Sequence, residues 1–349
     1  MKDINSGSIR RFEDMIHDAG NIVITTHMKP DGDAIGSCTA MYHFLKKLSL
    51  APKIILNDSY PSYLSFLTTG EVADDIIIHA DNPTQAEEGI HGADLIICLD
   101  FNAFHRTDKL EVMLSEAIGK KILIDHHLSP AREMFDLSFS ETEVSSASEL
   151  LYHILTATSV IGNDAGRLGQ ECACSLMTGM TTDTNNFANS VFPSTLHMAS
   201  DLLAAGVDRD MILDRIYNQD RENRLRLMGH MMKDLLKITA DGVAYMVLDR
   251  KTMDLYDVAE GDTEGFVNMP LSIADVRMSI LAKEDEDRVR ISIRSKKGTS
   301  ANMCARQFFN GGGHENAAGG RLHIPGDIKR MEEAAEYIER NTHIFLNNE

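Results

Sequence analysis

The sequence predicts an α/β protein in two parts: an N-terminal parallel-sheet domain with flanking helices, then a smaller α+β C-terminal domain. Three observations carry this. Short apolar runs recur through the first part as continuous rather than alternating stretches, the pattern of parallel strands covered on both faces. Helical segments separate several of them, as an open α/β sheet requires. From about residue 240 the character changes to longer strand segments interrupted by single helices. The length, 349 residues, accommodates two domains more readily than one.

In chain order, residues 9–18 read as a short amphipathic helix and NIVITT (21–26) as a strand. AIGSCTAMYHFLKKL (34–48) sets Ile35, Cys38, Met41, Leu45 and Leu48 on one helical face. Strands follow at KIIL (53–56), DIII (75–78), DLIICL (94–99) and KILI (121–124). SASE (146–149) is a capping box opening a helix to about residue 157. Helices are expected at about 165–180, 194–205 and 209–217. RENRLRLMGHMMKDLLKI (221–238) reads as a helical linker, which gives domains at 1–207 and 239–349 joined by a helical segment at 208–238. GVAYMVLD (242–249), VRMSILAKE (276–284) and RVRISIRS (288–295) read as strands. The last alternates Val289, Ile291 and Ile293 with Arg290, Ser292 and Arg294. A helix at 299–309, the glycine-rich stretch NGGGHENAAGG (310–320) and a final helix at 327–340 complete the second domain.

Composition narrows the class. Hydrophobic residues make up 43% and charged residues 25%, the profile of a soluble protein with a sizeable core. No apolar run approaches the ~18 residues of a membrane helix. The first twenty residues lack an apolar signal core, so a cytoplasmic location is expected. The five cysteines form no C-x-x-C pair and read as reduced thiols. A net charge of −19 argues against a long nucleic-acid track, so a polyanionic substrate must be small or met by local basic residues or cations.

The chemistry concentrates at strand ends. In THMKPDGDAIGS (26–37), His27 ends a strand, and Pro30 and Gly32 shape a loop bearing Asp31 and Asp33, with the helix starting at about Ala34. Asp33 alone is satisfied by an N-cap role, which leaves His27 and Asp31 unexplained. Asp100 closes DLIICLD, and Asp125-His126-His127 closes KILIDHH. One Asp at a strand end is ordinarily a turn residue, but the carboxyl ends of parallel strands converge in space, and here three of them end in Asp or His. Asp183, in GMTTDTNNF (179–187), supplies a fourth acid for the same cleft. In the second domain, Arg294 with Lys296 and Lys297 reads in isolation as a solvated edge. Gly311, Gly312 and Gly313 suit close approach of an anion to backbone N–H groups, with His314 beside them.

His27-x3-Asp31-x-Asp33, Asp100, Asp125-His126-His127 and Asp183 together strongly resemble the DHH phosphoesterase family. SIRS and GGGH resemble its DHH-associated C-terminal domain, so the resemblance covers both parts of the chain. It looks most like the short two-domain bacterial nanoRNase branch, alongside RecJ-like and exopolyphosphatase-related proteins.

The resemblance implies that His27 and Asp31 bind one Mn²⁺, that Asp33, His126 and Asp183 bind a second, and that Asp100 bridges them. Mg²⁺ or Co²⁺ are substitutes. Asp125 would orient His126, and His127 would contact the phosphate. Arg294, Ser295, the three glycines and His314 would hold substrate phosphates, and Arg106 matches a place where relatives often carry an arginine. The implied reaction is two-metal hydroxide attack on phosphorus in very short oligoribonucleotides, linear dinucleotides or 3′-phosphoadenosine 5′-phosphate. Long duplex nucleic acid and membranes are not expected partners. A homodimer is compatible with the resemblance. The alternatives are a pyrophosphatase or exopolyphosphatase on the same metal core, and a non-catalytic nucleotide sensor, against which every ligand position is filled.

Overall fold

The structure, a computed structural model, describes residues 3–259 and 261–347. The chain divides into two compact units between Gln219 and Asp220.

The first unit contains strands β1 (Ile22–Thr25), β2 (Lys53–Leu56), β3 (Ile76–Ile78), β4 (Leu95–Leu99), β5 (Lys120–Asp125) and β6 (Leu137–Ser140). Its helices are α1 (Ser6–Asp18), α2 (Gly32–Lys47), α3 (Glu71–Asp75), α4 (Pro83–His91), α5 (Leu110–Glu116), α6 (Ala147–Ala157), α7 (Gln170–Asp183), α8 (Pro193–Ala204) and α9 (Arg209–Tyr217). All six strands are parallel, in the order β3-β2-β1-β4-β5-β6. The continuous apolar runs have the expected cause. Ile22, Ile24, Ile54, Ile97, Leu99 and Ile124 pack on one side with α1, α2, α6 and α7. Val23, Ile55, Ile96, Cys98 and Leu123 pack on the other with α4 and α5.

The strand order reverses between β1 and β4, and at such a switch point a crevice opens beyond the carboxyl ends of the strands. Helices α2, α6 and α7 approach it closely. A Cβ on Gly36 would lie 2.7 Å from the Ser175 carbonyl oxygen, and one on Gly179 would lie 2.0 Å from Ser148 Oγ. Both glycines are therefore required by packing.

The second unit contains α10 (Glu222–His230), β7 (Lys237–Ile238), β8 (Val243–Leu248), α11 (Arg250–Leu255), β9 (Met278–Glu284), β10 (Arg288–Ser295), α12 (Ala301–Phe308), β11 (Gly312–His314), β12 (Ala317–His323) and α13 (Ala334–Asn347). The sheet order is β11-β12-β10-β9-β8-β7, antiparallel except for the parallel pair β8–β9. Val289, Ile291 and Ile293 pack with α12 and α13. Leu227, Met231, Met246, Met253, Phe266 and Leu281 form a second apolar cluster.

Besides β6, which no apolar run announced, three elements differ from the sequence reading. Residues 221–238 are not one helix: α10 ends at His230, a π turn covers Met231–Leu235, and β7 follows. The glycine-rich stretch is a hairpin of β11 and β12. The last helix begins at Ala334, not 327, because Asp327 folds back to accept hydrogen bonds from Asn310 Nδ2 and the His323 N–H. Among the described residues, no helix is long and apolar enough to cross a membrane.

Candidate functional site

Strand register assembles the first cluster. Thr25 pairs with Cys98 and Leu99 with Ile124, so His27, Asp100 and Asp125 emerge side by side at three neighbouring strand ends. Asp100 turns sharply off β4 in the left-handed region, with φ of 63°, a conformation Asp tolerates better than most residues. His27 Nε2 lies 3.3 Å from Asp100 Oδ2 and 3.9 Å from Asp31 Oδ1. His126 Nε2 lies 3.5 Å from Asp100 Oδ1 and 3.6 Å from Asp183 Oδ2. Asp183 is the last residue of α7. The tautomer of His27 is set by Nδ1, which donates to the Met28 carbonyl at 2.8 Å and leaves Nε2 facing the carboxylates.

Asp31, not Asp33, is the N-cap of α2, accepting from the N–H groups of Asp33 and Ala34. Asp33 is released for another task. Its buried carboxylate accepts the Ala147 N–H at 2.6 Å and the Ser148 N–H at 2.9 Å, at the positive end of α6. This contact spans more than a hundred residues and left no trace in the local pattern. Its one sequence signal was SASE at the start of α6, where Ser146 caps the helix by accepting the Glu149 N–H, although the reciprocal arm of the expected capping box is absent because Glu149 takes the Ser145 N–H instead.

The expectation that Asp125 orients His126 is corrected. Asp125 Oδ1 accepts from His127 Nδ1 at 2.7 Å, and Oδ2 accepts the His127 N–H. Side chains two apart on an extended chain share a face, whereas His126 turns the opposite way toward Asp100 and Asp183.

These residues fit divalent cations. Among the described residues, three groups have ligand atoms mutually within 4.8 Å: His27, Asp31 and Asp100; Asp33, His126 and Asp183; and Asp100, His126 and His127. Asp100 belongs to two of the groups that share no other residue. Most of the nitrogen–oxygen separations are too long for good hydrogen bonds, yet they suit two ligands held by one small ion. Asp100 Oδ1 is buried without a hydrogen-bond partner, an arrangement that costs stability unless something else occupies its lone pairs. Carboxylates joined by single imidazoles favour hard to intermediate cations over a thiolate-type zinc site.

The electrostatics agree. Burial raises Asp33 well above the usual carboxylate range, and repulsion from Asp100 and Asp183 adds to it. Burial lifts Asp183 to about 6, with Asp100 and Asp31 opposing the attraction of His126. Burial disfavours charge on the histidines, yet Asp100 and its neighbours raise His27 to about 9 and His126 to about 10. Asp100 moves downward despite its burial, because His126 and His27 stabilise its charge. The pocket carries an excess of negative charge that calls for cations.

Arg106 lies in a 3-10 turn, Phe104–Thr107, whose Arg106 carbonyl accepts the Met28 N–H at 2.8 Å. The turn after β4 is thereby tied to the loop after His27. A cavity of about 440 Å³ in this unit is lined by Tyr42, His43, Lys46, Phe66 and Glu171 among others, and includes none of the cluster. The candidate metal ligands lie outside it.

In the second unit, Arg294 is half-buried on β10 and donates to the Ile293 carbonyl. Ser295 is committed to a turn, donating to the Thr299 carbonyl and accepting from Asn316 Nδ2. The glycine triplet differs from expectation. Gly311 N–H donates to the Ala305 carbonyl and Gly313 N–H to Asn302 Oδ1, so two of the three donors are already used. A Cβ on Gly311 would lie 1.9 Å from the Gly319 carbonyl oxygen, so its absence lets the chain lie against β12. His314 ends β11, and its side chain lies outside the described residues.

Comparison with known proteins gives a consistent picture. Residues 21–180 match the DHH family, N-terminal domain, and residues 240–341 match the DHHA1 domain. The bifunctional oligoribonuclease and PAP phosphatase NrnA of Bacillus subtilis is 25% identical over 316 residues, covering 89% of this chain and 92% of that one. Its namesake from Thermus thermophilus is 29% identical, covering 87% of this chain and 84% of that one. The crystal structure of an exopolyphosphatase-related protein from Bacteroides fragilis superimposes with a TM-score of 0.88 at 36% identity, covering 99% and 98% of the two chains.

Proposed function

Because this chain belongs to the DHH family and is a phosphoester hydrolase, we propose that it cleaves very short oligoribonucleotides, linear dinucleotides or 3′-phosphoadenosine 5′-phosphate with two Mn²⁺ ions. The observation that carries this reading is the pair of ligand groups, His27–Asp31–Asp100 and Asp33–His126–Asp183, separated by nothing but the shared surroundings of Asp100. His27 and Asp31 would hold one ion, Asp33, His126 and Asp183 the other, and Asp100 both. When bound, the ions supply Lewis acidity, drawing charge from phosphoryl oxygens and making water a nucleophile near neutral pH.

The chain's own residues do the rest. The first turn of α6 fixes Asp33, and the Met28 carbonyl fixes the His27 ring. Asp125 holds His127 by Nδ1, which leaves Nε2 to contact a substrate phosphate oxygen. Arg294 offers a planar, bidentate phosphate contact, and its burial without a carboxylate partner among the described residues supports that role. Arg106 is assigned a subsidiary contact. The glycines of 311–313 shape the hairpin beside Arg294, and Ser295 braces the turn that follows β10. A cytoplasmic enzyme acting on small nucleotides fits this reading.

The test is a turnover panel with Mn²⁺: dinucleotides, 3′-phosphoadenosine 5′-phosphate, pyrophosphate and a twenty-residue RNA, compared by kcat/KM. Preference for the first two supports the proposal. Preference for pyrophosphate would transfer the site to the pyrophosphatase reading, and equal rates on the dinucleotide and the long strand would contradict size selection. Absence of turnover with tight nucleotide binding would indicate a sensor.

A further inference from the structure

Strand pairing in the second unit lines up three cations. Arg290 on β10 stands opposite Lys283 on β9 and opposite Arg321 on β12. Directly opposed residues of an antiparallel ladder share a face and lie about 5 Å apart at Cβ. Arg290 and Arg321 are exposed, and Lys283 is half-buried. Arg294 occupies the same face four residues along β10, ~13 Å away at ~3.3 Å per residue.

Like charges directly opposed weaken a sheet, and this chain has a net charge of −19, so carboxylates to neutralise them are plentiful. Among the described residues none forms an ion pair with these three. Lys283 and Arg290 border a cleft that also holds Asp254, Asp257, Glu284 and Asp285, but Asp285 pairs with Arg288 and feels Arg290 only as a further attraction, Glu284 accepts the Arg250 N–H, and Asp257 pairs with Arg221. Between Arg321 and Arg294, the same face of β12 carries only Gly319 and Ala317, opposite Ser292 and Arg294. A ligand lying from one arginine to the other meets a low floor. The row has the chemistry of a phosphate site, and its distance from Arg294 exceeds a single phosphodiester link.

We propose that Lys283, Arg290 and Arg321 form a second phosphate subsite, which holds a backbone phosphate of a short single-stranded oligonucleotide whose other phosphate is held by Arg294. This rests on the proposed function. A dinucleotide engages Arg294 alone, and a tetranucleotide reaches the row as well. The subsite sets how many nucleotides beyond the first contribute to binding.

The experiment is equilibrium binding of a fluorescein-labelled tetra-adenylate by anisotropy in EDTA, with unlabelled diadenylate and inorganic polyphosphate as competitors. The proteins are the wild type, the double variant R290Q/R321Q and the variant R294Q. The double variant is expected to bind the tetranucleotide roughly tenfold more weakly or worse, with diadenylate affinity unchanged. Its salt dependence should be shallower by about 0.7 in log–log slope for each phosphate that is no longer neutralised. R294Q should weaken both lengths. Unchanged tetranucleotide binding by the double variant, with normal wild-type binding, overturns the subsite alone. A wild type that binds neither length in EDTA, nor after EDTA is replaced by Ca²⁺, overturns the functional reading beneath it. Row-dependent binding of polyphosphate without row-dependent binding of the tetranucleotide overturns the assignment to an oligonucleotide.

Discussion

His127 Nδ1 stands 2.7 Å from Oδ1 of Asp125, and the other oxygen of the same carboxylate accepts the His127 backbone N–H at 3.1 Å. Both contacts come from a residue with no exposed surface at the end of β5. The imidazole is thus fixed in tautomer and direction by a group that solvent does not reach.

Replacing Asp125 by Ala should therefore leave the cation ligands in place and free the His127 ring. The expected outcome is a fall in kcat of roughly 10- to 100-fold at unchanged Mn²⁺ stoichiometry. Elemental analysis beside steady-state kinetics checks it, and loss of bound metal in proportion to activity would assign Asp125 to the metal site instead.

Glu149 makes stability depend on acid. It is fully buried in the first turn of α6, accepting from Ser145 N–H, Ser145 Oγ and Thr195 Oγ1. Burial opposes its charge, but these partners and His153 hold it at about 2 instead of 4.5, worth on the order of 3 kcal/mol. A folded value below the unfolded one means the contribution is complete above the unfolded value and is lost as pH falls from there through the folded one. Urea unfolding of wild type and Glu149→Gln should show a gap that is wide at neutral pH and closes toward pH ~2. A gap independent of pH would contradict the account.

Gly179→Ala should be costly for a steric reason. The new methyl would sit 2.0 Å from Ser148 Oγ and 2.8 Å from Asp33 Oδ1. The helices must separate or Asp33 must move, at about 1–3 kcal/mol, lowering Tm by several degrees and weakening metal binding together. A normal Tm in calorimetry would show that the three helices tolerate more separation than their close approach suggests.

The strand ends were legible in the sequence because buried parallel strands are written as unbroken apolar runs, and three of them close in Asp or His at ends that converge in space. KILIDHH and DLIICLD are readable for that reason. β6 was missed because LSFS is four residues long with half of its side chains partly exposed, so no apolar run announces it. The Asp33–α6 contact was unreadable because it depends on two helices meeting. The partner of Asp125 was misassigned because sequence adjacency to His126 says nothing about direction, which the pleat decides. The glycine triplet was read as an anion cradle because glycine permits close approach of any group, and here the approaching group is the protein's own β12.

The central claim is that Asp100 joins two cation sites built on neighbouring strand ends. Electron paramagnetic resonance of the protein titrated with Mn²⁺ tests it most directly. The account predicts two ions per chain with the exchange-coupled spectrum of a bridged pair, and, in Asp100→Ala, loss of that coupling with turnover reduced by more than ~10³-fold on every substrate. A single uncoupled ion in the wild type, or an Asp100→Ala variant that keeps the coupled signal and its activity, would contradict it.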